Sequence, residues 1–289
     1  MTLSRPSRAT TRVELGEVAR TLLVPLWARA EESLREAPLV TDAKARSIVD
    51  ALDFDFGVLR DAQASQLGCC VRAQLVDQWV REFLHAHPEG TVIELGVGLN
   101  ARFERLDNDR AHWIELDLPD VTALRERFFT PHPRRTIIAG SITERDVIAS
   151  LSDLARGPCM VVSEGVLVYL REAEVRDLFA RLRAALPGAW FVFDAMTAHV
   201  VRLQRAHDAM RHFDAQFSWE LARPSDVERF AEGVVVERTS RFFDMLYAHP
   251  QRLPRWMQVA GPWVSRAWPR VREVYTINLA RLGDGRCRP

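Results

Sequence analysis

The stretch Val92-Ile-Glu-Leu-Gly-Val-Gly-Leu-Asn-Ala101 decides how the rest of the chain is read. An apolar, β-branched run ends in two glycines one residue apart, and a helix is predicted to open beyond them; this is the strand, turn and helix at which a doubly wound sheet admits a nucleotide. Lacking Cβ atoms, Gly96 and Gly98 let the backbone turn tightly and approach a ligand at the carboxyl end of the sheet. Asp117 follows 21 residues after Gly96, at the end of the next predicted strand, where a carboxylate accepts both hydroxyls of an adenosine ribose. Together these specify an adenosine-type ligand.

Outward from that loop, strand and helix patterns alternate, the signature of a mostly parallel sheet covered on both faces. Strands are predicted at Thr91–Leu95, His112–Leu116, Thr136–Ala139, Met160–Ser163, Ala189–Phe193, Val234–Thr239 and Val274–Leu279, with helices at Asp120–Phe129, Asp146–Leu154 and Glu172–Leu186. The fold class is therefore α/β, a doubly wound seven-stranded sheet. Upstream, Leu15, Val18, Leu22, Leu26 and Trp27 recur at helical spacing from Val13 to Arg35, with Pro25 expected to kink or divide the helix. Further helices are expected after Asp42 and from Val71 to His85. A single domain over 1–289 results: a helical cap (13–88), a cofactor-binding core (91–196), and roof helices with the final strands (197–289). The roof comprises a helical segment from Thr197 to Phe230 and a Trp/Pro-rich one from Tyr247 to Pro269, holding Trp256, Trp263 and Trp268.

Composition narrows the chemistry. Basic and acidic residues balance at 39 each, removing the cationic field that nucleic-acid and anionic-membrane binders rely on. Lys44 is the only lysine, in a polar stretch, so a phosphate loop is excluded and lysine catalysis is disfavoured. Cys69 and Cys70 are adjacent, Cys159 and Cys287 solitary, and no C-x-x-C pair occurs. That usage and the absence of a leader-like or membrane-length apolar run point to the cytoplasm. His85 and His87 cannot share a helix face and no His-Glu-x-x-His occurs, so no metal is expected.

Gly96-x-Gly98-x-x-Ala101 with Asp117 also fits a dinucleotide fingerprint, so NAD must be weighed against S-adenosyl-L-methionine. Glu94 precedes the glycine turn by two residues, and Glu164 ends the fourth predicted strand beside it. Two carboxylates repel a pyrophosphate, whereas they stabilise a sulfonium and an ammonium. Either glutamate alone is equally well read as a helix or loop cap; their joint placement favours the methyl donor.

Beyond the loop, Ala19-Arg-Thr-Leu-Leu-Val-Pro-Leu-Trp-Ala-Arg29, Val71-Arg72, Glu94–Phe103, Trp113-Ile-Glu-Leu-Asp-Leu-Pro-Asp120 and Ser163-Glu-Gly-Val-Leu-Val-Tyr-Leu170 resemble the leucine carboxyl methyltransferase family, in its bacterial polyketide O-methyltransferase branch. The resemblance implies a class I methyltransferase in which Arg72 grips the methionine carboxylate, Gly96 and Gly98 wrap the methionine, Asp117 holds the ribose, Ser141 and Ile142 border the adenine, and Glu164 faces the amino group. The chain departs from the family at Asn100-Ala101, where Asp-Thr is usual, and at Ser141, where Asp is usual; Asn100 and Ser141 still accept hydrogen bonds.

The expected activity is S-adenosylmethionine-dependent O-methylation of a carboxylate or phenolic hydroxyl on a small natural product. A carboxylic acid arrives ionised at neutral pH, whereas a phenol would profit from a base. Tyr169, His199 and His207 are the candidates; with His212, the histidines fall on different faces of the expected roof helix. Other readings are a methylase of protein C-terminal carboxylates, an NAD-dependent oxidoreductase and a noncatalytic cofactor-binding scaffold. The oligomeric state is left open.

Overall fold

A computed structural model describes residues 11–253 and 273–283, with Arg255, Gln258, Val259 and Trp263. Seven strands form one sheet: β1 (Thr91–Leu95), β2 (His112–Asp117), β3 (Arg135–Ala139), β4 (Cys159–Ser163), β5 (Trp190–Met196), β6 (Val234–Arg241) and β7 (Tyr275–Leu282). Their spatial order is β3-β2-β1-β4-β5-β7-β6. Strands β1 to β5 are parallel; β7 runs antiparallel to β5, and β6 antiparallel to β7. The direction of winding reverses between β1 and β4, and the carboxyl ends of these two strands diverge into a crevice.

Every residue of β1 and β4 is buried, as expected of central parallel strands covered on both faces. One face packs on α4 (Gln63–Ala86), through Val76, Trp79 and Phe83 against Val92, Trp113 and Val162. The other packs on α7 (Arg145–Leu154) and α8 (Glu172–Ala185), through Ile148, Leu151, Leu178 and Phe179 against Ile93, Val161 and Phe191.

The N-terminal helical region is divided, but upstream of the proline. Helix α1 (Glu17–Arg20) ends before α2 (Leu23–Glu32), and Pro25 lies in the first turn of α2, where its missing N–H costs little. Helix α3 (Ala43–Val49) follows, its first turn capped by Asp42 through the Ala45 N–H at 2.8 Å. Helix α4 begins eight residues before the expected Val71, because its first turns bury polar side chains, Ser65 and Gln66, that carry no apolar period.

The roof differs most from expectation. Thr197–Phe230 is not one helix but α9 (Ala198–Arg202) followed by short 3-10 turns and an extended run. In that run Ala215, Phe217, Trp219 and Leu221 are buried alternately, a period of two rather than 3.6. The Trp219 and Leu221 N–H groups donate to the Val168 and Met196 carbonyls at 3.1 and 2.9 Å, tying the run to the ends of the sheet. Helix α10 (Phe242–Tyr247) completes the roof among the described residues. Trp263 is exposed, so it does not roof the crevice; Trp256, Trp268 and Cys287 lie outside the described residues. No helix among the described residues is long and apolar enough to cross a membrane, and no group of metal-ligating side chains occurs among them.

Candidate functional site

The crevice is a cavity of about 770 Å³. The loop after β1 forms its floor, with Gly96 at φ 70° and Gly98 at φ 55°, both in the left-handed region that favours glycine. A Cβ on Gly96 would collide with Val166 Cγ2. Asp117, at the end of β2, accepts from the Gly98 N–H at 2.6 Å and the Leu118 N–H at 2.8 Å, so it braces the turn while facing the cavity. Burial pushes its carboxyl above the usual aspartate range, against those two donors.

Beneath the loop lies a buried ion network. Arg102, at the start of α5 (Arg102–Leu106), donates through Nε to Asp77 at 2.7 Å, through Nη1 to Glu94 and through Nη2 to Glu164 at 2.5 Å. Arg72, on α4, donates through Nε to Glu164 at 2.8 Å and through Nη1 to Tyr275 Oη at 2.8 Å and Asp194 at 3.4 Å. Tyr275 Oη in turn donates to Asp194 at 2.5 Å. Arg105 joins Asp77 at 3.0 Å to Asp42 at 3.0 Å. Neither glutamate caps a helix. The expectation of two acidic groups free to meet a guest is corrected here: both oxygens of Glu164 are held by arginines, and its carboxyl lies at about 2 because the Arg72 and Arg102 charges outweigh its burial. Glu94 keeps Oε2 buried and without a hydrogen-bond partner among the described residues, and burial pushes its carboxyl up to about 7. Five carboxylates (Asp42, Asp77, Glu94, Glu164 and Asp194) share the four guanidiniums of Arg29, Arg72, Arg102 and Arg105. The network therefore still favours a cation, through Glu94.

Arg72, Glu94, Gly96, Gly98, Asn100, Asp117, Ser141, Ile142, Glu164, Tyr169 and His207 all line this cavity. His199 does not: it is exposed on α9, because the irregular roof turns that face outward. His212 is likewise exposed. Asn100 Oδ1 accepts from Arg105 at 3.1 Å, and Ser141 Oγ exchanges a hydrogen bond with Thr143 at 2.7 Å. Burial raises the Tyr169 hydroxyl to about 12, and its proton points to Met210 Sδ at 3.9 Å. Burial pushes His207 below the ordinary imidazole value. Arg102, Asp77, Asp194, Tyr275, Ser65 and Asp208 were not singled out from sequence. Asp194 carried the clearest local signal, as a charged residue inside the otherwise apolar Phe191–Met196 run.

The other walls of the cavity are largely apolar, with Phe217, Phe242, Phe243, Met196 and Met210, and Leu22 packs against Gly98. Known proteins match this chain as follows. The model of the family described as leucine carboxyl methyltransferase matches residues 23–183. The chain belongs to the leucine carboxyl methyltransferase family. Within reach of that family lies the tetracenomycin polyketide synthesis O-methyltransferase TcmP of Streptomyces glaucescens, 32% identical over 223 residues, 77% of this chain and 82% of that protein. The S-adenosyl-L-methionine-dependent methyltransferase dpfgK of Gibberella zeae is 26% identical over 245 residues, covering 77% and 82%. A DUF574 family protein of Streptomyces avermitilis shares the fold, with a TM-score of 0.54 at 12% identity over 89% of this chain and 97% of that one. As a member of the leucine carboxyl methyltransferase family, the protein is an S-adenosyl-L-methionine-dependent methyltransferase, and the oxidoreductase reading falls away.

Proposed function

We propose that the chain transfers a methyl group to an oxygen, carboxylate or phenolic, of a small aromatic natural product of polyketide or aromatic-acid type. The observation that carries this reading is the aromatic lining of the cavity, where Phe217, Phe242, Phe243 and Tyr169 supply apolar surface for a flat acceptor. The name of the TcmP relative supports the same acceptor class.

The residues present suit the methyl donor. Arg72 Nη2, with no partner among the described residues, would hold the methionine carboxylate. Glu94 Oε2, an orphaned buried acceptor, would take the ammonium. Asp117 would hold the ribose hydroxyls on its remaining lone pairs, Ser141 and Ile142 would border the adenine, and Asn100 would close the loop. When bound, the donor supplies a methyl carbon made electrophilic by its sulfonium. The chain's part is to orient the two reactants in line and exclude water, through the buried floor and the aromatic roof. An acceptor carboxylate needs no base. For a phenol, His207 is the neutral side chain able to take the proton; Tyr169, held protonated at about 12, serves as a wall. We take 1–289 as one methyltransferase domain and place its work in the cytoplasm, where Cys69, Cys70 and Cys159 stay thiols.

Incubation with methyl-labelled donor and a panel of aromatic acids, phenols and a peptide with a free C-terminal carboxylate tests the reading. Label in an aromatic acid or phenol is expected; label in the peptide alone overturns it.

A further inference from the structure

Helix α4, which carries Cys69 and Arg72 along the cavity, has no cap of its own: Ala62 stands at the N-cap and supplies no side-chain acceptor. The orphan amides of the first turn are satisfied from far along the chain. Asp208, in the roof, accepts through Oδ2 from the Ala64 N–H at 3.0 Å and the Ser65 N–H at 3.3 Å. Those are the second and third helical residues, whose N–H groups an N-cap side chain ordinarily takes. Asp208 Oδ1 accepts from Ser65 Oγ. Ser65 Oγ also lies 3.4 Å from His207 Nδ1; with the serine proton given to Asp208, this contact is a hydrogen bond when Nδ1 carries the ring proton and donates it to Ser65 Oγ, which leaves Nε2 as the basic nitrogen. His207 is thereby held by its Nδ1 edge, while Nε2 has no partner among the described residues. Ala64, Ser65, Ala206, His207, Asp208 and Met210 all line the cavity, His207 with its ring 6.2 Å from that of Phe217, so these bonds join the roof to the helix that bears Arg72.

We infer that Asp208 is a positioning residue for methyl transfer: it caps α4 from the roof and, through Ser65, fixes His207 beside the aromatic lining of the cavity. The inference rests on the methyltransferase reading of that cavity. A carboxylate suits the task because it accepts several bonds at once and complements the positive end of a 24-residue helix. Two charges bear on His207 from opposite directions: Asp208 raises its affinity for a proton, and Arg72 across the cavity lowers it.

The test uses the full chain with Asp208→Ala and Asp208→Asn. Loss of a cap speeds amide exchange about fivefold, the equivalent of a typical cap. Ala64, Ser65 and the roof turn at 206–210 should exchange faster by that factor in Asp208→Ala. They should stay within twofold of wild type in Asp208→Asn, which keeps an acceptor oxygen. Followed by its Cε1 proton resonance, His207 should titrate lower in Asp208→Asn than in wild type, because the cap remains while the charge is gone. S-adenosylhomocysteine should bind wild type and both variants within twofold. Unchanged exchange in Asp208→Ala, or an unmoved His207 titration in Asp208→Asn, overturns the inference. So does lost S-adenosylhomocysteine binding in Asp208→Ala, since that would mark a support for the whole cavity. A wild type that binds no S-adenosylhomocysteine at millimolar concentration sinks the methyl-transfer reading itself. That failure is told apart from failure of the cap because the exchange rates involve no ligand.

Discussion

Replacing Glu94 by Gln separates the charge of the cavity floor from its shape. Burial pushes this carboxyl up to about 7; the Arg102 charge opposes the rise, and Glu115, its register partner on β2, adds to it. About a tenth of Glu94 is therefore ionised at pH 6 and roughly three quarters at pH 7.5. With the ionised form receiving the ligand ammonium, the affinity for S-adenosylhomocysteine rises roughly eightfold over that interval in wild type. Glu94→Gln should lose that slope. It should also bind roughly ten- to a hundredfold more weakly at pH 7.5, the size of one charge-assisted hydrogen bond. Stability moves the other way. The folded-state value lies above the unfolded 4.5, so the proton's contribution is complete below pH 4.5 and is lost as pH rises through about 7. The ionised, ligand-free protein carries a cost of roughly 3 kcal/mol at pH 8, at about 1.4 kcal/mol per pH unit. Glu94→Gln should then be the more stable protein at pH 8, because Arg102 keeps Asp77 and Glu164 as partners. Calorimetric titration at pH 6, 6.75 and 7.5 and urea unfolding at pH 8 read the two effects. A wild-type affinity flat across the interval, or a Gln variant that binds as tightly as wild type, refutes the reasoning.

Gly96→Ala must place a Cβ against Val166 at a left-handed φ, so a loss of about 1–3 kcal/mol is expected in thermal unfolding, with donor binding abolished. Adding Val166→Ala should restore only part, since the φ strain stays. Arg125 and Glu115 are both fully buried, joined at 2.6 and 2.8 Å, and Arg125 also donates to the Gly98 and Asn100 carbonyls. Glu115→Gln should cost roughly 3–5 kcal/mol in urea unfolding and loosen the glycine loop, and a loss below about 1 kcal/mol would contradict the pairing. Glu32 is buried, yet hydrogen bonds from Arg252, the Leu39 N–H and Gln66 hold its carboxyl at about 2. Its stabilisation is present above the unfolded value near 4.5 and fades as pH falls toward 2. Glu32→Gln should accordingly cost roughly 3 kcal/mol at pH 7 and much less at pH 3, by chemical denaturation at both values.

Strand β1 was legible to the residue because burial on both faces leaves a β-branched, largely apolar run, broken only by Glu94 and ended by glycines whose φ only glycine adopts freely. Asp117 was legible for a similar reason: a strand end and a fixed distance from the turn locate it without knowledge of packing. In the roof, Phe213, Ala215, Phe217, Trp219 and Leu221 alternate with polar residues, a period of two that a helix does not accommodate. The histidines and arginines that suggest a helix end at His212, before this alternation begins. The cap on α4 had no local trace, since Asp208 and Ser65 stand 143 residues apart. Only the closed fold makes them neighbours.

The crevice floor carries its acid together with arginines, and the geometry of that pairing requires arginine rather than lysine at these positions. A carboxylate buried as deeply as Glu94 or Glu164 is tolerated only with partners that satisfy it. Arg102 reaches three carboxylates, Arg72 two and a tyrosine, Arg105 two and an asparagine, and Arg125 one carboxylate and two loop carbonyls. A planar fork of five donors can do this where an ammonium, a single point of charge, cannot. The scarcity of lysine, useful at first only for excluding chemistries, is at these positions a requirement of the site. Arginines neutralise most of the acid needed to bury the crevice floor, and the single uncommitted oxygen of Glu94 is left to select a cation.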